Sequence, residues 1–259
     1  MKRRQLMRYA GASLLTTLGT GLASGRQSYQ AQTGRGGLSV KWLGHTCFLF
    51  SGSGLQILVN PFQTLGCTAG YRRPQVSADL VLISSQLLDE GAAGGLPGNP
   101  RILFEPGAYK VSGIELQGIS IPHDRVGGRR FGSNIAWQWQ QAGVNILHLG
   151  GAAAPIGLEQ KILMGSPDLV LVPVGGGPKA YNPQEAKQAI SVLSPKIVVP
   201  THFLTQAADP ETCDIAPVDQ FLSLMEGTTV NRLNSDTLSI KPGSLPQNGS
   251  TIKVLSYRF

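Results

Sequence analysis

The sequence predicts an α+β domain in which two β-sheets pack together with helices on the outside. Three observations carry this. The first half is a succession of short strand-like runs with no convincing helical period. The second half alternates strand and helix. At least one run, "ADLVLIS", is continuously apolar, as in a strand buried on both faces. With 259 residues, 41% hydrophobic and 14% charged, the chain has enough apolar material for one substantial core. Its 33 glycines and 17 prolines predict many tight loops.

Taken in order, residues 1–24 read as an export leader rather than as fold. A basic start is followed by an apolar stretch with small residues and then by Gly21-Leu22-Ala23. Arg3-Arg4 followed by Gln5, Leu6, Met7 and Arg8 resembles the twin-arginine signal, which implies export to a periplasm or a thylakoid lumen. The apolar run is too short and too rich in Gly and Thr for a stable transmembrane segment. A polar linker at 25–37 leads into the domain at 38–259.

"LSVKWLG", "TCFLFS" and "LQILVN" form a three-strand meander. "ADLVLIS", "RILFE", "GIELQGISI", "SNIAWQWQQ" and "VNILHL" continue the β pattern, and the alternation in "SNIAWQWQQ" suits a strand with one wet face. "GLEQKILMG" is a short helix and "PDLVLVPV" a strand. "NPQEAKQAISVLSP" is a capped amphipathic helix, "KIVVPTHF" a strand, and "PVDQFLSLMEG" a helix with proline at its start. "TVNRL", "TLSIK" and "TIKVLSYRF" close the chain as strands.

Charge excludes one class of function. Lys2, Arg3, Arg4 and Arg8 supply four of the seven net positive charges, and residues 1–24 hold no acid, so the remainder carries +3. The basic balance is therefore not a nucleic-acid signal, and no nucleic-acid motif is present. Three cysteines are too few for a disulfide scaffold. Cys67 and Cys213 lie in loops and are the candidate pair, whereas Cys47 lies in a strand and suits a small core residue.

Candidate chemistry gathers where buried strands end. "DLVLIS" runs into Ser84-Ser85, "VNILHLGG" into His148, "DLVLVPV" into a glycine loop and "KIVVP" into His202. Histidines and acids converging there suit a metal or an acid–base site. Each has a structural alternative. A strand-end histidine often only hydrogen-bonds, and Asp89-Glu90 suits the first turn of a helix. Arg125, Arg129 and Arg130 in "HDRVGGRRFGS" suit an anion site or an exposed basic loop.

The joint order of "KWLGHTCFLF", "LQILVNPF", "ADLVLISSQLLDE", "NIAWQWQQAGVNILHLGG" and "LVLVPVGGGPKAYNPQEAKQAISVLSPKIVVPTHF" resembles the metallo-β-lactamase superfamily, in particular its ascorbate-6-phosphate lactonase-like metal-dependent hydrolases. The resemblance implies a four-layer αββα sandwich with a metal site at the edge between the sheets. It also implies a His-x-His-x-Asp-His motif where this chain reads Ser85 to Glu90, so that only Asp89 is unchanged. His148 and His202 stand at the later histidine positions, and Gly151 stands at the bridging aspartate.

By this resemblance the first ion keeps only His148, while a second could use Asp89, Glu90 and His202. Three readings follow. The first is a ligand-binding protein or pseudoenzyme on a hydrolase scaffold, its pocket lined by His45, Ser85, His123, His148, His202 and the Arg125–Arg130 loop. The second is a hydrolase of a small ester, lactone or phosphoester, holding one zinc or other divalent ion, with His148 or His123 carrying protons. The third makes Ser85 a nucleophile, although no G-x-S-x-G elbow surrounds it. The expected partner is a small molecule, not a nucleic acid.

Overall fold

The computed structural model describes residues 36–209 and 211–259. The twin-arginine-type leader at 1–24 and all but the last two residues of the 25–37 linker lie outside the described residues.

The first sheet holds six strands. β1 (Leu38–Gly44), β2 (Cys47–Gly52) and β3 (Leu55–Val59) form the expected antiparallel meander. β4 (Leu80–Leu82) and β5 (Arg101–Leu103) extend it in parallel from β3. The second sheet begins with β6 (Gly107–Val111), β7 (Ile114–Pro122), β8 (Ser133–Gln141) and β9 (Val144–His148), all antiparallel neighbours. It continues in parallel through β10 (Leu169–Pro173) and β11 (Ile197–Thr201). The C-terminal strands divide: β12 (Thr229–Arg232) and β14 (Thr251–Val254) complete the second sheet, and β13 (Thr237–Ile240) pairs with β1 on the first.

Each element follows from its residues. β10 and β11 are "LVLVP" and "IVVPT", buried throughout, as β-branched strands inside a covered parallel sheet must be. α1 (Leu158–Met164), α2 (Pro183–Leu193) and α3 (Val218–Leu222) supply the connections within that sheet. α2 starts on a capping box: Glu185 N–H donates to Asn182 Oδ1 at 2.9 Å, Asn182 N–H donates to Glu185 Oε2 at 2.8 Å, and Pro183 opens the first turn. Its Ala186, Ala189, Ile190 and Leu193 face inward.

The two sheets meet over a shared core. Phe50 meets Trp139 edge to face with centroids 4.9 Å apart, and Phe48 meets His148 in the same way at 5.9 Å. Trp137 Nε1–H donates to Ile83 O at 3.1 Å, and the Gln141 amide donates to Gly52 O and Leu55 O. Burying each of these aromatic side chains contributes about 1.5–3 kcal/mol. Cys67 and Cys213 form the anticipated disulfide across 146 residues, and Cys47 is a buried free thiol. No helix among the described residues is long and apolar enough to cross a membrane.

Two local expectations change. β6 was not anticipated, because "GAYKV" follows Pro106, opens on a glycine and keeps most of its residues partly or fully exposed, so it lacks an apolar run. The helix start at Asp89-Glu90 is a single turn, with Glu90 and Gly91 N–H donating to Leu87 O. A Cβ on Gly91 would lie 2.3 Å from Ser85 O, and Gly94, Gly95 and Pro97 prevent continuation. The β4–β5 crossover consequently lacks α-helix, and the β3–β4 crossover holds only a 3₁₀ turn at Gly66–Thr68.

Candidate functional site

The carboxyl ends of β3, β4, β9, β10 and β11 gather at one edge of the sandwich. Three non-glycine residues there adopt left-handed backbone: His45 at φ 52°, Asn60 at φ 51° and His202 at φ 49°. Each directly follows a strand and turns the chain sharply across the site. Such conformations cost about 1–3 kcal/mol apiece and concentrate at functional sites. The pairing of β1 with β2 is irregular just before His45, whose carbonyl accepts Trp42 Nε1–H at 3.0 Å.

The inner part of the site is fully buried. Ser85 Oγ–H donates to Glu90 Oε2 at 3.2 Å, and His123 Nε2 lies 3.6 Å from the same oxygen. His123 Nδ1–H donates to Gly151 O at 2.5 Å. Burial raises the Glu90 pKa above the usual carboxylate range, against the opposing pull of His123. Asn134 ties the cluster to the second sheet, donating to Leu149 O and accepting Gly151 N–H. Ser84 N–H donates to Asn60 Oδ1 at 2.9 Å, which joins the ends of β3 and β4.

His148 is fully committed within this framework. Its Nδ1 accepts Gly150 N–H at 3.0 Å, so Nε2 carries the hydrogen and donates to Thr46 O at 3.0 Å. Burial lowers its pKa to about 4 despite the opposing Thr46 hydrogen bond, leaving a neutral ring with neither nitrogen free for a metal or a proton relay. Sequence position suggested a ligand or a proton carrier; the geometry makes it a cross-link between sheets.

The outer part is a cleft of about 190 Å³, lined among others by His45, Asp89, Lys179, His202 and Asp214. The His45 and His202 rings lie 4.4 Å apart. Burial lowers the His45 pKa to about 4 and pushes that of His202 well below the usual value, so both rings are neutral. Asp89 is ion-paired with Lys179. Burial alone would raise the Asp89 pKa, but the adjoining ammonium reverses the shift and holds the carboxylate ionised.

The arginines lie elsewhere. Arg125 donates to both carboxylate oxygens of Glu185 and to the carbonyls of Gly177 and Ala180. Arg129 caps Val126 O, and Arg130 lies over the Phe131 ring. Asp124 organises their loop, its carboxylate accepting the N–H groups of Val126, Gly128, Arg130 and Phe131. The basic loop is thus a self-bonded turn, and the anion site expected of Arg125, Arg129 and Arg130 does not form at the cleft.

These residues do not fit the ions that the resemblance implies. Among the described residues no group of three or more His, Cys, Asp or Glu side chains could hold a metal ion. Asp89, Glu90 and His202 form no such set: Asp89 faces Lys179, Glu90 faces Ser85 and His123, and His202 packs at a tilt against His45. A Cβ on Gly151 would lie 2.2 Å from His123 Cε1 and 2.7 Å from Glu90 Oε1, so the space for a bridging aspartate is filled.

Lys179 and Asp124 are the residues that sequence reading missed. A lone lysine in "GGGPKAY" carries no periodic signal. The one available clue was charge balance, since a partly buried Asp89 without an ion is stabilised by a neighbouring cation.

Comparison with known proteins agrees with the fold. A family model described as the Beta-lactamase superfamily domain matches residues 39–202. A UPF0173 metal-dependent hydrolase from Thermococcus onnurineus is 30% identical over 202 residues, covering 67% of this chain and 89% of its own. A protein of the same description from Pelotomaculum thermopropionicum is 28% identical, covering 65% and 85% respectively. Among solved structures, a Thermotoga maritima protein assigned as a zinc-dependent hydrolase of the metallo-β-lactamase superfamily superposes with a TM-score of 0.66 at 28% identity, over 85% of this chain and 100% of that one. Fold, motif order and relatives agree, and this chain belongs to the β-lactamase superfamily domain family, among the metal-dependent hydrolase-like members of the metallo-β-lactamase fold.

Proposed function

We propose that this chain is a non-hydrolytic, ligand-binding member of its superfamily, in which side chains have replaced the ions. The carrying observation is at Gly151: a β-carbon there would overlap His123 and Glu90, so the volume of a bridging carboxylate is occupied by the His123 ring and the Glu90 carboxylate. His148, with both nitrogens bonded to backbone, adds to this.

The ligand site is the outer cleft. Lys179 balances Asp89, Asp214 adds a further acid, and His45 and His202 are neutral. That charge pattern suits a small hydrogen-bonding ligand that is uncharged or singly cationic, and disfavours a polyanion. We further propose that the leader at 1–24 exports the folded chain to a periplasm or a thylakoid lumen. The Cys67–Cys213 disulfide supports an oxidising destination.

Elemental analysis of the full chain, purified from an export-competent host supplied with zinc, manganese and iron, tests this reading. The expected result is no stoichiometric metal. One equivalent that survives dialysis and disappears in Asp89→Ala or His202→Ala overturns it in favour of a mononuclear hydrolase using Asp89, Glu90 and His202.

A further inference from the structure

We propose that the Lys179 ammonium is the resident cation of the outer cleft, occupying the charge-balancing place of a bound ion, and that Arg125 is the residue that positions it. This rests on the reading above and names the group that makes it possible.

Asp89 is the one residue of the His-x-His-x-Asp-His segment that is unchanged, and its side chain is only 17% exposed. A carboxylate this far out of solvent is stabilised by an adjacent cation and destabilised by being left unpaired. Lys179 supplies that partner from the loop after β10, and its own side chain is only 18% exposed.

The loop is built to present it. Arg125 Nη1–H donates to Gly177 O and Nη2–H to Ala180 O, both at 2.9 Å, so the guanidinium brackets Lys179 on either side. Arg125 is itself fixed by Glu185, and Glu185 by the N-terminus of α2. An ordinary surface lysine has no such support. A line of contacts from a helix start, through a carboxylate and a guanidinium, to one ammonium indicates that the location of that charge matters.

The surroundings also match a cation's place. His45 Nε2 and His202 Nδ1 are buried without a hydrogen-bond partner, on residues 2% and 3% exposed that line the same cleft. As arranged here, Asp89, His45 and His202 do not form a metal-holding group; with the ammonium absent they would be left in one cleft without a cation among them, and recruitment of a divalent ion is expected only after that removal.

The test uses the full chain and three variants: Lys179→Met, Lys179→Arg, and Lys179→Met combined with Asp89→Asn. Thermal unfolding is followed in chelator and in added zinc. Lys179→Met should unfold at a lower temperature in chelator, and zinc should raise its midpoint. Wild type, Lys179→Arg and the double variant should be indifferent to zinc. An unchanged midpoint for Lys179→Met in chelator overturns the proposal, as does an equal zinc response in wild type. Should Lys179→Met fail to fold, normal folding of the double variant supports the proposal, and failure of both overturns it. Metal content of the purified wild type separately tests the parent reading, so the two can fail independently.

Discussion

Arg125 grips Glu185 through two parallel hydrogen bonds, Nε to Oε1 and Nη2 to Oε2, each 2.7 Å long, across sixty positions of sequence. The same guanidinium reaches two backbone carbonyls of the loop after β10. Only a planar fork with several donors serves all four acceptors at once. Both side chains keep some solvent exposure, at 38% and 26%, so the pair alone contributes only about 0.2–1 kcal/mol. With the two carbonyl bonds added, Arg125→Ala should lose about 1–2 kcal/mol in urea unfolding with an unchanged m-value. Arg125→Lys should lose nearly as much, because it keeps the charge and not the fork. Full stability in the lysine variant would show that charge alone suffices.

Gly151 tests how tightly the inner cluster is packed. If the volume beside it were open, an aspartate there would be tolerated. The positions of His123 Cε1 and Glu90 Oε1 argue otherwise. Gly151→Ala should destabilise by about 1–3 kcal/mol through overpacking. Gly151→Asp should cost more, since it also sets a second carboxylate beside buried Glu90. Pairing Gly151→Ala with His123→Ala should recover part of the loss, which a double-mutant cycle measures directly. Additive losses would mean that the two residues do not share the space.

The strands were legible because burial leaves a run of Val, Ile and Leu, and β10 and β11 open with such runs, "LVLV" and "IVV". Strand ends were legible for the same reason: His148 follows an apolar run directly, and Ser85 and His202 stand one or two residues beyond theirs. What could not be read were partnerships over long separations. Arg125 looks like an anion binder in its own loop, and its carboxylate partner opens a helix sixty residues later. Lys179 meets Asp89 across ninety. The motif positions located the site, but which side chains fill it depends on volumes, such as the one beside Gly151, that a linear pattern does not record.

Asp124 sets an acid limit on stability. Burial alone would raise its pKa, but four backbone N–H donors outweigh that and hold it at about 2, below the ordinary 3.8. A depressed folded-state pKa means that the stabilisation is complete above the unfolded value and is lost as pH falls through the folded one. The difference in stability between wild type and Asp124→Asn should therefore be constant above about pH 5 and shrink between about pH 4 and pH 2. A difference that does not vary across that window would show that the carboxylate charge is not what holds the loop.

His148 gives a titration of the same sign, in a window nearer neutrality. Its pKa is lowered from 6.5 to about 4, chiefly by burial, so the unfolded chain binds a proton in that interval that the folded chain refuses. Stability should therefore be full above about pH 6.5 and decline as pH falls toward 4. Nitrogen NMR should report a neutral ring with hydrogen on Nε2 throughout pH 5 to 8. His148→Ala should cost about 3 kcal/mol, because Thr46 O and Gly150 N–H are left buried without partners and Phe48 loses an edge contact. The pH slope of that variant between 4 and 6.5 should be shallower than that of wild type. A His148 resonance that titrates near 6.5 would instead mean that one of its nitrogens is free, and would return the residue to the list of candidate ligands.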